Sequence, residues 1–224
     1  MIVNGYNSCK VADTAIIKAG ARVGFRNTFC DYCVIHEDAI IGNDNYFASH
    51  SVIGSAPEHR DAIENNYKHQ YKFLDVIIGD NNRINEFVTI NAGAFRHTRV
   101  GDSNFILRGA HIGHDTIIGN DNTISCNALI GGHSEIENNC NLGLNSVLHQ
   151  FSYMGEGAML GMSAVVTKKK MLLPYNIYVG NPARQLKYND YLIRKLEIDA
   201  ITLNILIENY IDRYNLLNRD KDIK

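Results

Sequence analysis

Residues 110–120 read AHIGHDTIIGN. Ile112 and Ile118 lie six apart, and a glycine follows each. Six is neither the 3.6-residue period of a helix nor the two-residue alternation of a strand. Stepping by six in both directions gives Val100, Ile106, Ile112, Ile118, Ile124, Ile130, Ile136, Leu142, Leu148, Met154, Leu160 and Val166, all apolar. A second register holds Ile78, Ile84 and Ile90. A third runs Val11, Ile17, Val23, Phe29, Ile35, Ile41, Phe47 and Ile53.

A step of six rotates an α-helical side chain off any fixed face, which rules out a helix here. A short strand followed by a turn fits. Three such modules make one triangular coil, the apolar residue points inward at each module, and successive coils pair in parallel. The glycine that often follows the inward residue, and pairs such as Asn43-Asp44 and Asn120-Asp121, suit tight corners. The 23 positions predict between seven and eight coils. The fold class expected is all-β, a parallel β-helix built on a hexapeptide repeat.

The register shifts twice, so loops are inserted at about 55–75 and 91–99. Loops of that size on a regular scaffold usually carry function. After Val166 the pattern fades through KKKMLLPYNIYVGNPAR. From Asn189 the chain is rich in helix formers with apolar residues at mixed three and four spacings, and Asn189 or Asp190 suits the cap. The expected division is a β-helix over 1–186 and a short helical segment over 187–224.

The bulk numbers bound the function. The chain has 224 residues, 45% hydrophobic, enough for a packed core. A net charge of −2 argues against a nucleic-acid or anionic-membrane footprint. The opening MIVNGYNSCK shows no basic stretch followed by an apolar one, so no signal peptide is expected. No apolar run suits a membrane span. Five cysteines and no export signal predict reduced thiols and a cytoplasmic location. Cys30 and Cys33 form a lone CxxC pair, better read as small buried side chains than as a metal or redox site.

These features resemble the left-handed parallel β-helix of hexapeptide-repeat acyltransferases, and within them the UDP-N-acetylglucosamine O-acyltransferases of lipid A synthesis. The stretches that carry the resemblance are IGDNNRINEFVTI (78–90), TRVGD (98–102), AHIGHD (110–115), GGHSEI (131–136) and LHQFSYMGEGAMLGMSAV (148–165). The resemblance implies a homotrimer with sites between neighbouring prisms, an acyl thioester as donor and a nucleotide sugar as acceptor. Several departures point away from the lipid A enzyme itself. The first loop is long and barely matches, Asn91 stands where a histidine is usual, and the coil ends in GNPAR (180–184), as in coenzyme-A-dependent sugar acetyltransferases.

Acyl transfer needs a base for the attacking hydroxyl or amine, and histidine suits that near neutral pH. By the resemblance His114 is the general base, Asp115 its partner, and the Gly132 N–H the oxyanion donor. Gly132 lies three modules beyond His114, so stacking of coils puts it alongside. The resemblance further assigns acceptor contacts to Lys68, Asn91 and His111, with His59 and Arg60 of the first loop as alternative anion contacts. It assigns donor contacts to His133, His149 and Gln150, and to Arg184 and Lys187 after GNP. Met162 stands where long-chain members carry glycine at the end of the acyl groove, which implies a short acyl group.

The expected function is transfer of a short acyl group from acyl-CoA or acyl carrier protein to an amine or hydroxyl of a nucleotide-linked sugar, for surface glycan or lipopolysaccharide synthesis. The acyl-carrier-protein-dependent UDP-N-acetylglucosamine O-acyltransferase of lipid A synthesis is the alternative. No tightly bound cofactor and no metal are expected. A zinc enzyme on the same fold needs a His-x-x-x-x-His step, and no two histidines here stand five apart. A catalytically silent scaffold is disfavoured by the co-occurrence of His114, Asp115 and Gly132.

Overall fold

The computed structural model describes residues 8–58 and 73–219. The chain winds into three sheets of ten, eight and eight strands, and every third strand along the sequence joins the same sheet. Among the described residues all strand pairings between coils are parallel, and the rungs keep their register. His111 sits over Leu129 and Ile112 over Ile130, for example. Only the last strand of the first sheet, Arg184–Tyr188, is antiparallel, folded back on Asn176–Val179. This is the parallel β-helix that the six-residue step predicts.

The step persists because each rung needs one inward side chain to fill the prism. Ile53, Ile84, Ile90, Ile106, Ile112, Ile124, Ile130 and Leu148 are all fully buried. Phe29 and Phe47 stack inside at 5.0 Å. Val11, in the first described coil, is an exception at 39% exposure. At the other end the repeat runs on further than expected. Leu172 and Tyr178 continue the step beyond Val166 and are buried, so the prism has eight complete coils and the first strand of a ninth. The expected fading was a change of residue type, with Tyr178 in place of an aliphatic, and not of geometry.

Corners are held by polar ladders. Asn27, Asn45, Asn82, Asn104 and Asn122 stack in consecutive coils, and each side-chain carbonyl accepts the backbone N–H of the corresponding residue one coil on, at 2.7–3.0 Å. Buried N–H groups at the turns are thereby satisfied without water. Cys33 is fully buried, and burial pushes its thiol up to about 12, which keeps it an inert packing group.

Beyond the prism, Asn189 caps helix α1 (Asp190–Lys195), its side chain accepting the Leu192 N–H. Helix α2 (Ala200–Arg219) lies along the third sheet. Arg213 pairs with Glu137 at 2.6 Å, Tyr214 donates to the Lys169 carbonyl at 3.2 Å, and the Tyr214 ring meets Tyr153 edge-on at 5.0 Å. No helix among the described residues is long and apolar enough to cross a membrane.

Candidate active site

Both insertions leave the prism at the same edge. The first lies between Val52–Ser55 of the second sheet and Val76–Ile78 of the third; the second lies between Thr89–Asn91 and Thr98–Val100 of the same two sheets. In the next coils this edge carries His114-Asp115, then Gly132-His133, then Gln150-Phe151. Asp115, His133 and Phe151 take φ near +60°, the left-handed conformation that turns the chain sharply at the corner.

His114 is 7% exposed and Asp115 is fully buried. Their side chains meet at 2.5 Å between Nδ1 and Oδ2. The ionised carboxylate accepts from Nδ1–H, so Nε2 of the neutral ring is left as an acceptor. The other carboxylate oxygen, Oδ1, accepts three successive backbone N–H groups of the second insertion: Ala94 at 3.0 Å, Phe95 at 2.8 Å and Arg96 at 2.6 Å. Burial alone would raise the Asp115 carboxyl. The hydrogen bonds from His114 and from the Arg96 and Phe95 N–H groups outweigh it and hold the group below the usual carboxylate range. Thr98 accepts the Asp115 backbone N–H at 2.9 Å.

Gly132 packs directly against this pair. A Cβ there would stand 2.9 Å from His114 Nε2 and 3.0 Å from both Cε1 and the His114 carbonyl. Its N–H makes no hydrogen bond among the described residues. At the edge between the third and first sheets the equivalent N–H groups are taken by side chains one coil on: Asp102 by Asn120 at 2.7 Å and Asn120 by Asn138 at 2.8 Å. The residue one coil on from Gly132 is Gln150, and among the described residues its side chain takes no hydrogen bond from the Gly132 N–H, so the donor is open.

The cleft in front of His114 is open on its outer side and encloses about 440 Å³, within the range of small-molecule sites. His111, His114, Gly132, His149 and Gln150 line it, with Leu129 and Val147 as its apolar floor. His111 bonds Thr89 Oγ1 through Nδ1 at 2.8 Å and faces the Glu58 carboxylate at 3.8 Å. Burial pushes the His111 imidazole below its ordinary value, which Glu58 opposes and His114 reinforces.

Other expected positions fall elsewhere. His133 does not line the cleft. It packs beside His114, ring edge-on to it at 5.2 Å, with Nε2 3.5 Å from Asp115 Oδ2 and its ring stacked on Phe151 at 4.5 Å. Asn91 is buried and donates to the Ala56 carbonyl at 2.6 Å, tying the second insertion to the first. Met162 is 72% exposed at the edge between the first and second sheets, and Arg184 and Lys187 are exposed on the antiparallel strand; none lines this cleft. His59, Arg60 and Lys68 lie outside the described residues.

Sequence reasoning did not find Glu58, Arg96, Thr98 or Glu135. The Arg96 guanidinium donates to the Asp115 carbonyl at 2.6 Å, to Glu135 at 2.6 Å and to the His133 carbonyl at 3.2 Å. The insertion that carries Arg96 obeys no period, so no spacing signal marks it. The only cue was its position immediately before the coil that carries His114.

His114, Asp115 and His133 bring ligand atoms within 4.8 Å of one another. Asp115 Oδ1 is already saturated by three N–H donors and Oδ2 is taken by His114, so a cation there would have to displace the dyad's own hydrogen bond. The donor set suits proton transfer.

A family model for the bacterial transferase hexapeptide (six repeats) matches residues 97–132. The acyl-[acyl-carrier-protein]--UDP-N-acetylglucosamine O-acyltransferase of Campylobacter lari is 35% identical over 116 residues, which is 48% of this chain and 42% of that protein. The enzyme of the same name from Rickettsia typhi is 31% identical over 126 residues, covering 49% and 47%. The chain thus spans less than half the length of these curated relatives. The solved UDP-N-acetylglucosamine acyltransferase from Campylobacter jejuni superposes with a TM-score of 0.71 at 28% identity, covering 90% of this chain and 83% of that one. That from Moraxella catarrhalis gives 0.63 at 26%, covering 92% and 82%. In repeat, fold and sequence, this chain resembles the UDP-N-acetylglucosamine O-acyltransferases.

Proposed function

We propose that the protein is an acyltransferase that moves an acyl group from a thioester, acyl-CoA or acyl carrier protein, to an amine or hydroxyl of a nucleotide-linked sugar for surface glycan or lipopolysaccharide synthesis. One observation carries the reading: a histidine locked to a buried carboxylate presents Nε2 beside an uncommitted backbone N–H in an open cleft. The names of its relatives support the same class.

The step balances without an oxidant or reductant. The acceptor O–H or N–H gives its proton to His114 Nε2 as its lone pair attacks the thioester carbonyl carbon. Asp115 stabilises the imidazolium that forms, and the Gly132 N–H holds the oxyanion. Collapse breaks the carbon–sulfur bond, and the thiolate takes the proton from Nε2. Acylated sugar and free thiol leave.

The working unit in this reading is a homotrimer. The second sheet turns an apolar row outward, including Val34, Val52, Val147 and Val165, with Ile16 at 53% and Leu129 at 45% exposure. A row of that length wants a covering partner, and a neighbouring prism on it closes the cleft. Met162, Arg184 and Lys187, on other parts of the prism, then reach a site only from the neighbour, where Met162 limits the acyl chain. His133, edge-on to His114 and facing Asp115, supports the dyad and not the donor. His149 and Gln150 meet the thioester arm, while His111, Asn91 and the first loop with His59, Arg60 and Lys68 serve the acceptor. No cofactor beyond the co-substrate is required, and the location proposed is cytoplasmic.

The relatives favour a second reading, the carrier-protein-dependent O-acylation of UDP-N-acetylglucosamine that their names state. Thiol release with a panel of acyl-CoA and acyl-carrier-protein donors against UDP-N-acetylglucosamine and UDP-amino sugars separates the two. His114→Ala should lower kcat by roughly 10²–10⁴-fold. A wild-type protein that releases no thiol from any pair overturns the acyltransferase reading, and so does a His114→Ala protein with normal kcat.

A further inference from the structure

We propose that Arg96 is a positioning residue that fixes the distance between the general base and the oxyanion donor; the proposal rests on the acyl-transfer reading above. His114 immediately precedes Asp115, and Gly132 immediately precedes His133. The Arg96 guanidinium holds the carbonyls of both following residues, Asp115 through Nε at 2.6 Å and His133 through Nη2 at 3.2 Å. These two carbonyls belong to corners of adjacent coils, both at φ near +60°. One planar fork therefore clamps the corner that carries the base to the corner that carries the donor.

Two further bonds fix the fork itself. Nη1 pairs with Glu135 at 2.6 Å, with both side chains about a quarter to a third exposed. The Arg96 backbone N–H bonds Asp115 Oδ1 at 2.6 Å. The same residue thus grips Asp115 by its carboxylate and by its carbonyl. Lysine has the charge but not the rigid array of donors, and cannot span three acceptors in one plane. Arg96 does not line the cleft, so its effect on catalysis runs through the geometry of His114 and Gly132.

The test compares the full-length wild type with Arg96→Met, Arg96→Lys and the double variant Arg96→Met/Glu135→Gln. Both single variants should lose about 10- to 100-fold in kcat, the usual cost of a misplacement of an ångström or less, while KM for donor and acceptor changes little. The double variant removes the carboxylate left unpaired, so it should regain the melting temperature that Arg96→Met loses without regaining kcat. A double variant that regains kcat together with stability would reduce Arg96 to a charge partner of Glu135 and overturn the proposal, as would an Arg96→Met enzyme with normal kcat. A wild type that turns over no thioester sinks the acyl-transfer reading instead. The crystal structures of wild type and Arg96→Met then decide: an unchanged separation between His114 Nε2 and the Gly132 nitrogen refutes the clamp.

Discussion

Replacing Gly132 with alanine adds a single methyl group directly against the His114 ring. The new Cβ would lie 2.9 Å from His114 Nε2 and 3.0 Å from Cε1. Carbon contacts settle near 3.5–4.0 Å, so the ring must give by about half an ångström or more. It has little room to do so. His114 is 7% exposed, and turning its ring breaks the 2.5 Å bond to Asp115. Either the imidazole leaves its carboxylate, or the Gly132 corner backs away and takes its N–H with it. Each outcome misaligns a group that the proposed mechanism uses in the transition state. Loss of one oxyanion donor typically costs about 10²–10³ in kcat, or about 2.7–4 kcal/mol, and the variant should lose that much while still binding both substrates. Steady-state thiol release and a single-turnover measurement give kcat and KM separately. Gly119→Ala is the control. Its Cβ strikes the Asn138 side chain and comes within 3.0 Å of the Glu137 carbonyl carbon at a different edge. It should lower the melting temperature and spare kcat. A Gly132→Ala enzyme with kcat within about threefold of wild type would show that neither the ring nor the N–H stands where catalysis needs it.

Asp115→Asn should keep one acceptor oxygen for the Ala94, Phe95 and Arg96 N–H groups but turn its NH2 to His114 and favour the wrong tautomer, with kcat falling by roughly 10²–10⁴-fold. Because the fold holds the Asp115 carboxyl below its usual value, its ionised form stabilises the protein above the unfolded value of about 3.9 and stops doing so as pH falls through the lower folded value. The stability gap between wild type and Asp115→Asn, from urea unfolding, should therefore be full at neutral pH and shrink in acid; a gap independent of pH contradicts this. Met162→Gly should extend the preferred acyl chain, at about 0.8 kcal/mol for each further buried methylene; identical kcat/KM profiles across donor lengths would remove Met162 from the groove. Sedimentation should give a trimer, and a fully active monomer at micromolar concentration would refute the shared cleft.

The core was legible because every six-residue module repeats one demand, a single inward apolar side chain, and repetition averages out local ambiguity. Leu172 and Tyr178 satisfy that demand beyond Val166, although a run of lysines and a proline disguise it. Asp115 next to His114, and Gly132 one coil away, were accessible by resemblance and by the stacking of coils. Arg96 was not, because an insertion follows no period and its contacts depend on how the loop folds back over the corner. A count of residues places His133 in the repeat but does not reveal that its ring stacks on Phe151 and meets His114 edge-on beside Asp115 Oδ2.

Lengthening a coil at an edge leaves the rungs on either side at their heights. Val76–Ile78 still pairs with Ala39–Ile41 after the first insertion as though the chain had turned directly. A prism of this kind can exchange its recognition loops while its core stays the same. The two loops here are not independent, however. Asn91 holds the Ala56 carbonyl, and Leu74 and Gly93 exchange backbone hydrogen bonds, so the second insertion fastens both stems of the first. Three residues on, the same segment seats Asp115. A graft that moved the first loop alone into a related prism would leave its stems unfastened. A graft that carried residues 91–97 with it would bring its own setting for the Asp115 carboxylate. The first loop and the seat of the His114–Asp115 pair are thus inherited together, as one exchangeable module on one edge of the coil.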